Sequence, residues 1–596
     1  MSTVILTGLP VPGSPLEDEL RSLGFDVRPV PAPEDTAAAL AAVPAGQRVA
    51  VVDSGFVGHP HALRLALTDP RFDACAVTGA FAVQAGARAA LERAAGQAAD
   101  GDGPYPDRLA ARVEASGTPV QRPELGSLVA AVPAGEAERA EALAAVAAVD
   151  DEAVRLRGAV KARDGFFTTF FISPYSRYIA RWCARRGLTP NQVTTASLLT
   201  ALLAAGCAAT GERWGYVVAG VLLLVSFVLD CTDGQLARYS LQYSTMGAWL
   251  DATFDRVKEY SFYAGLALGA ARNGDDVWAL ALGSMILMTC RHVVDFSFNE
   301  ANLDATAAGK SVTGSPTAAL STRLDSVGWT VWVRRMIILP IGERWAMIAV
   351  LTAATTPRIV FYALLIGCAF GALYTTAGRV LRSVTRRAKR TDRAARALSD
   401  LADSGPIAEL VARTAFRPAA VLSLPLAVIG AVVLVGAAWY APYGSTTVVW
   451  AALLYAGLSG GAVSAPLRGP LDWLLPPLFR AAEYTTVLVL AVKADVPGAL
   501  PAAFGLVAAV AYHHYDTVYR IRGGSGAPPR WLVRTTGGHE GRVLLAVVLA
   551  AVLARGAFPV ALTAVAVFVA LVVLVESIRF WVSAGAPAVH DEGEPA

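Results

Sequence analysis

Residues 230–255 read D-C-T-D-G-Q-L-A-R-Y-S-L-Q-Y-S-T-M-G-A-W-L-D-A-T-F-D. Within that stretch Asp230 and Asp233 stand at i, i+3, and Gly247, Asp251 and Asp255 stand at i, i+4, i+8. Each set therefore occupies one face of a helix. The first set closes one apolar stretch and the second opens the next, so two antiparallel neighbours would aim four carboxylates at one point. Such a group is costly in a low-dielectric setting without counter-charge. Hard divalent cations such as Mg2+ (or Mn2+) prefer this all-oxygen environment and bind together with substrate phosphates. Gly234 and Gly247 leave room for a bulky phosphorylated ligand to approach the backbone. Arg238, one turn beyond Gly234, offers paired donors to phosphate oxygens.

Outward from this stretch the chain reads as a polytopic helical membrane protein. It has 596 residues, 55% of them hydrophobic and only 17% charged, against about 25% charged in soluble proteins. Apolar runs near bilayer-spanning length fall at 192–210, 214–233, 250–271, 275–296, 342–356 and 357–380, and again at 418–440, 446–466, 474–492, 498–513, 541–556 and 558–582. Arg155, Arg157, Lys161, Arg163, Arg177, Arg181, Arg185 and Arg186, interleaved with Phe166, Phe167, Phe170, Phe171 and Trp182, precede the first run. That pattern predicts an amphipathic helix at a membrane surface. A second basic block, Arg379 to Arg396, follows the sixth run. With an even number of spans between them, both blocks are expected on the cytoplasmic side of the cell membrane.

The pattern D-x2-D-G-x2-A-R-x8-G-x3-D-x3-D, complete here from Asp230 to Asp255, resembles the signature of the CDP-alcohol phosphotransferases, over roughly residues 160–385. The resemblance implies a six-helix membrane fold, usually homodimeric, with its active site on the cytoplasmic side. It implies that Asp230, Asp233 and Asp251 bind metal, and that Asp255 joins them and deprotonates the acceptor hydroxyl. It places Gly234, Ala237 and Arg238 along the pyrophosphate of a CDP-alcohol, with Gly247 in the same site. The segment R-G-L-T-P-N-Q-V-T, with Thr189, Pro190, Asn191 and Thr194, reads as a helix cap and by resemblance lies near the cytidine. The expected reaction moves a substituted phosphate from a CDP-alcohol onto an alcohol and releases CMP.

The run K-A-R-D-G-F-F-T-T-F-F-I-S-P-Y-S-R-Y-I-A-R-W, starting at Lys161, resembles the linker of the inositol-phosphate-using branch. An anionic acceptor needs cations in the cavity, and Arg256, Lys258, Arg291, Lys310 and Arg358 are the candidates, each equally able to snorkel at an interface. Glycerol 3-phosphate and serine stay open as acceptors, with either a lipid or a non-lipid donor. A transporter using intramembrane carboxylates is the rival class; it predicts paired active repeats and broken helices at the midplane. The acids here lie near one membrane face.

Residues 1–150 alternate short apolar runs (Val4–Leu6, Val49–Val52, Ala74–Val77) with Ala-rich stretches, which predicts a soluble α/β domain. It resembles a nucleotidyltransferase through V-V-D-S-G-F-V-G-H-P (51–60) but lacks the basic glycine-rich loop that holds a triphosphate. An inactive or docking domain is therefore expected, with His59 and His61 as solvated surface residues. The remaining division runs 151–191 juxtamembrane segment, 192–385 catalytic unit, 386–412 basic linker, 413–584 second membrane unit and 585–596 disordered tail. Six scattered cysteines without CxxC spacing give neither a disulfide framework nor a zinc site. Net charge is only +3, and the basic blocks suit anionic lipid headgroups rather than nucleic acid.

The second unit carries echoes of the first. W-L-D-A-T-F-D-R-V-K-E-Y (249–260) parallels W-L-L-P-P-L-F-R-A-A-E-Y (473–484), H-V-V-D (292–295) parallels H-H-Y-D (513–516), and G-E-R (342–344) parallels E-G-R (540–542). A degenerate copy of the catalytic fold is expected, with Leu475 and Phe479 in place of Asp251 and Asp255, serving as an internal pseudo-dimer partner or as a dock for the soluble domain.

Overall fold

The computed structural model describes residues 2–96, 102–161, 164–307, 338–385, 390–413 and 420–583. Lys310, Arg163 and the expected tail 585–596 lie outside them. The N-terminal unit is α/β. Strands β1 (Ser2–Thr7), β2 (Phe25–Val30), β3 (Val49–Asp53), β4 (Val57–Gly58), β5 (Ala74–Val77), β6 (Ala80–Val83) and β7 (Ala130–Ala131) alternate with helices α1 (Leu16–Ser22), α2 (Thr36–Ala41), α3 (Pro60–Leu67), α4 (Arg88–Ala95), α5 (Tyr105–Ala115) and α6 (Glu136–Ala147). The main sheet has the order β2-β1-β3-β6-β5. Strands β2, β1 and β3 are parallel, with Thr3 opposite Val49, whereas β6 runs antiparallel to both its neighbours. Val49–Val52 are fully buried, as a strand covered on both faces requires.

The two histidines depart from expectation. His59 and His61 are buried, at 2% and 8% exposure. His59 accepts from the Val129 amide at 2.8 Å through Nδ1, and its Nε2 lies 3.1 Å from the Val146 carbonyl. It therefore ties α6 to the sheet, a non-local role that no loop motif announces. Burial, then Arg155, Arg64 and His59, pull the His61 imidazole down to about 4. The folded chain thus resists protonation that the unfolded chain accepts below about pH 6.5. Stability is complete above that value and is lost as pH falls towards 4, by about 3 kcal/mol. Hydrogen exchange across residues 60–67 should reveal easier opening between about pH 7 and about pH 4.5. His61→Leu should remove that dependence; an opening free energy flat with pH in the parent chain contradicts the assignment.

Beyond α7 (Asp151–Gly158) the chain is helical: α8 (Ser173–Arg185), α9 (Pro190–Ala209), α10 (Arg213–Ser240), α11 (Thr245–Arg272), α12 (Trp278–Ala307), α13 (Ile341–Ala354), α14 (Pro357–Thr385), α15 (Asp392–Ala402), α16 (Pro406–Arg413), α17 (Ser423–Tyr440), α18 (Thr446–Ala462), α19 (Leu475–Ala494), α20 (Ala499–Arg522), α21 (Arg530–Thr536), α22 (Gly538–Val552) and α23 (Phe558–Ser583). A helix covers each of the twelve apolar runs. By length and composition seven helices among the described residues can cross a membrane: α9, α10, α12, α14, α17, α19 (counted from Asp472) and α23 (counted from Arg555). The architecture is an all-α membrane body with a small α/β unit at its N-terminus.

Helix α8 exposes Tyr175, Tyr178 and Trp182; the guanidinium groups of Arg177 and Arg181 lie over the Tyr178 ring at 5.0 and 5.2 Å, and that of Arg186 over the Trp182 ring at 5.0 Å. Aromatic rings interleaved with cations fit a helix at a lipid headgroup layer. The stretch expected to be a basic linker instead contains α15 and α16. Leu398 and Leu401 of α15 are fully buried, and α15 packs on α12, α19 and α20. Its short amphipathic period was masked by the density of arginines around it.

Tight packing positions the first bundle. A methyl group at Gly265 or Gly269 would come within 2.4 Å or 2.1 Å of the Ala205 or Ala208 carbonyl, so this small-xxx-small face lets α11 lie directly against α9. Helix α10 ends at Leu241 in the left-handed region (φ 53°). The chain then reverses, and Ser244 caps α11 by accepting from the Gly247 amide at 2.9 Å. The soluble unit sits on this turn. Arg155 donates to the Tyr239 carbonyl at 2.8 Å and covers its ring at 3.6 Å, while Arg71 covers the Tyr243 ring at 4.0 Å.

Candidate active site

The α10–α11 reversal delivers the carboxylates. Oxygens of Asp230, Asp233 and Asp251 all lie within 4.8 Å of one another. Asp233 is buried, and its Oδ2 has no hydrogen-bond partner among the described residues. An orphaned buried carboxylate oxygen facing two further carboxylates fits a hard cation with oxygen ligands. The donor set therefore fits a divalent cation.

Asp255, expected as a fourth ligand, stands outside that trio. Lys258 ion-pairs with it at 2.9 Å, bonds Asp230 as well, and reaches Ser197 Oγ at 3.2 Å. Lys258 is 1% exposed. It is thus the shared counter-charge of two acids and not a cavity cation for an acceptor, a correction to its expected place. The i, i+3 relation of Asp255 and Lys258 was the signal that could have shown it.

The other expected acceptor cations are also committed elsewhere. Arg256 bonds Glu259 at 2.7 Å and lies over the Tyr515 ring at 5.1 Å, facing the C-terminal helices. Arg291 bonds the Ile338 carbonyl. Arg358 pairs with Asp275, which follows the far end of α11. Seventeen residues of helix separate Asp255 from the end of α11 at Arg272, about 26 Å at 1.5 Å per residue. Arg358 therefore belongs to the opposite membrane face, as counting the spans already required.

The residues expected beside the nucleotide fall into two groups, one at the start of α9 and one at the end of α10. Thr189 and Gln192 form a reciprocal capping box with Pro190 in the first turn of α9. Asn191 follows, and a methyl group on Gly247 would lie 2.8 Å from the Asn191 Oδ1, so the starts of α9 and α11 meet closely there. Thr194 Oγ1 donates to the Pro190 carbonyl at 3.0 Å within the first turns of α9. Arg238 donates to the Ala159 carbonyl at 2.6 Å, and its guanidinium covers Gly234 at the 3.5 Å a Cβ there would meet. Ala237, one residue earlier, accepts at its carbonyl from Leu241 and Gln242 as α10 closes. Two features were not expected. Lys161 lies within electrostatic range of Asp251, and buried Glu259 is gripped by Arg256, by Arg344 at 3.5 Å and by the Tyr263 hydroxyl at 2.8 Å.

The helical bundle thus gathers three carboxylates, a lysine and an arginine at one end, a donor set that fits a divalent cation. Residues 187–353 match the family model of the CDP-alcohol phosphatidyltransferases, and the chain carries a domain of that family. Residues 392–596 match a second model, described as a family of unknown function. Among curated proteins, the chain is similar to an archaetidylinositol phosphate synthase of Pyrococcus horikoshii, 35% identical over 19% of this chain and 58% of the relative. It is also similar to a phosphatidylinositol phosphate synthase of Streptomyces avermitilis, 33% identical over 21% of this chain and 51% of the relative. A bifunctional IPC transferase and DIPP synthase of Aquifex aeolicus is 30% identical over 21% of this chain and 28% of the relative. The matched part thus spans about half the length of the first two and less of the third.

Proposed function

We propose that the protein transfers the substituted phosphate of a CDP-alcohol, CDP-diacylglycerol in the first instance, to a hydroxyl of an inositol phosphate and releases CMP. The observation that carries this reading is the trio Asp230, Asp233 and Asp251 within 4.8 Å, with Asp255 held beside it. The similarity to synthases of archaetidylinositol phosphate and phosphatidylinositol phosphate supports inositol phosphate as acceptor and a lipid as product. A divalent cation held by the trio would neutralise the pyrophosphate and stabilise the CMP leaving group. Arg238 and the α9 start hold the nucleotide side. Asp255, kept in place by Lys258, takes the proton from the acceptor hydroxyl. The acceptor oxygen bonds to the phosphorus that bears the lipid, and the bond from that phosphorus to the CMP oxygen breaks. Both basic blocks support a cytoplasmic position for this end of the bundle. The soluble unit, seated on the α10–α11 turn, serves as a docked cover there.

The test is CMP release by the full chain in detergent with Mg2+ or Mn2+ and CDP-diacylglycerol, across inositol 1-phosphate, inositol, glycerol 3-phosphate and serine. Release with inositol 1-phosphate alone is expected. Release with glycerol 3-phosphate instead would replace the acceptor, and release with none would overturn the reading.

A further inference from the structure

Three sets of contacts in the catalytic helices have counterparts in the C-terminal ones, the third shifted by one residue because Glu540 stands opposite Gly342. Arg256, Glu259 and Arg344 form a buried cluster in the first; in the second, Arg480 meets Glu483 at 2.7 Å and Arg542 meets Glu483 at 2.6 Å. Asp295 pairs with Arg379, and Asp516 accepts from Ser577 at 2.7 Å. Glu343 accepts from the Phe167 amide at the helix turn leading into α8, and Glu540 accepts from the Gly405 and Ala408 amides at the start of α16. Packing follows the same scheme: α9 on α10 and α11, α10 on α13, and α12 on α14 correspond to α17 on α18 and α19, α18 on α22, and α20 on α23.

The two copies also meet as isologous partners do, with i touching j' and j touching i'. Helix α12 packs on α20, its own counterpart, while α12 on α19 mirrors α11 on α20. Trp249 stacks on Trp581 at 6.1 Å, and its counterpart Trp473 donates to Ser383, the counterpart of Trp581, at 3.0 Å. The second site is closed. Helix α18 has 17 residues against 28 in α10, so the turns bearing Asp230 and Asp233 have no equivalent. Phe479, in the place of Asp255, stacks on His539 at 4.3 Å.

Pseudo-symmetry singles out one residue. In the register that pairs His292 with His513, Phe298 corresponds to Tyr519. Phe298 packs edge-on to Trp473 at 5.2 Å, on the closed site. Tyr519 stands one turn beyond Tyr515, whose ring lies 5.1 Å from the Arg256 guanidinium, on the side of α20 that packs on α11 and so on the open site; Arg256, Asp255 and Asp251 are its electrostatic neighbours. The partner that looks onto the carboxylates carries a hydroxyl, and the partner that looks onto the filled cavity does not.

We propose that residues 392–583 are a catalytically silent copy of the phosphotransferase unit that takes the place of a second subunit, and that this copy completes the working site with the Tyr519 hydroxyl, which positions the acceptor alcohol. The role of Tyr519 rests on the reaction proposed above; the silent copy does not. In the full chain, Trp249→Cys with Trp581→Cys and a short bis-maleimide should give a cross-link within one chain, identified by peptide mass; a link between two chains overturns the internal partner. Tyr519→Phe should raise the KM for the acceptor about tenfold, the loss of one hydrogen bond, with the donor KM and Mn2+ affinity unchanged. An unchanged acceptor KM, or equal changes in both KM values, overturns the positioning role. Absence of all turnover in the parent chain would sink the reaction while leaving the cross-link to report on the copy.

Discussion

Asp251→Asn is expected to abolish CMP release, by about a thousandfold or more, while leaving the fold intact. The loss follows because one of three converging oxygens disappears from the cluster of Asp230, Asp233 and Asp251, and metal assistance accounts for several kcal/mol of transition-state stabilisation. The effect on stability has the opposite sign. Three carboxylates within 4.8 Å repel one another in the absence of a cation, so removing one charge raises the unfolding temperature of the metal-free chain. A scan in EDTA and a rate assay on the same preparation check both halves. A variant that keeps a tenth of the parent rate would contradict the metal role of Asp251.

The second large effect lies far from the chemistry. Glu483 is 2% exposed and holds Arg480 and Arg542, which also share Asp403 at 3.0 and 2.7 Å. Glu483→Gln leaves two buried guanidinium groups on one carboxylate, a change that costs about 3–5 kcal/mol. Thermal unfolding in detergent should show a large downward shift. The paired change Glu483→Leu with Arg480→Met should recover part of it, since a well-packed apolar pair avoids the desolvation cost. A single variant as stable as the parent would mean the network is not load-sharing, and the buried-charge account of this half would fail.

Much of the fold was legible because periodicity and run length are local properties. The twelve apolar runs and the strands at Val49–Val52 and Ala74–Val77 emerge as elements at nearly the expected residues, and spacing alone put Asp230, Asp233 and Asp251 on facing helix sides. Direction around and between helices was less legible. Lys258 and Arg256 follow Asp255 closely, yet one turns towards the acids and the other towards Tyr515. That choice is set by which helix lies alongside, and no single-helix pattern contains it. The helices of the supposed linker were hidden for a related reason: their apolar faces match surfaces supplied elsewhere in the chain, α12 and α19 for α15 and α18 and α22 for α16. The internal repeat showed faintly as Trp, Arg, Glu and Tyr in common, and those are the residues that build the buried clusters and the interface between copies.

The central claim is that one carboxylate cluster per chain binds a CDP-alcohol together with a divalent cation. Titration of CDP-diacylglycerol into the full chain in lipid nanodiscs, with and without Mn2+, tests it most directly. The account predicts one nucleotide per chain, binding that requires Mn2+, and loss of that binding in Asp233→Asn. Binding that ignores both the cation and Asp233, or two nucleotides per chain, would contradict it.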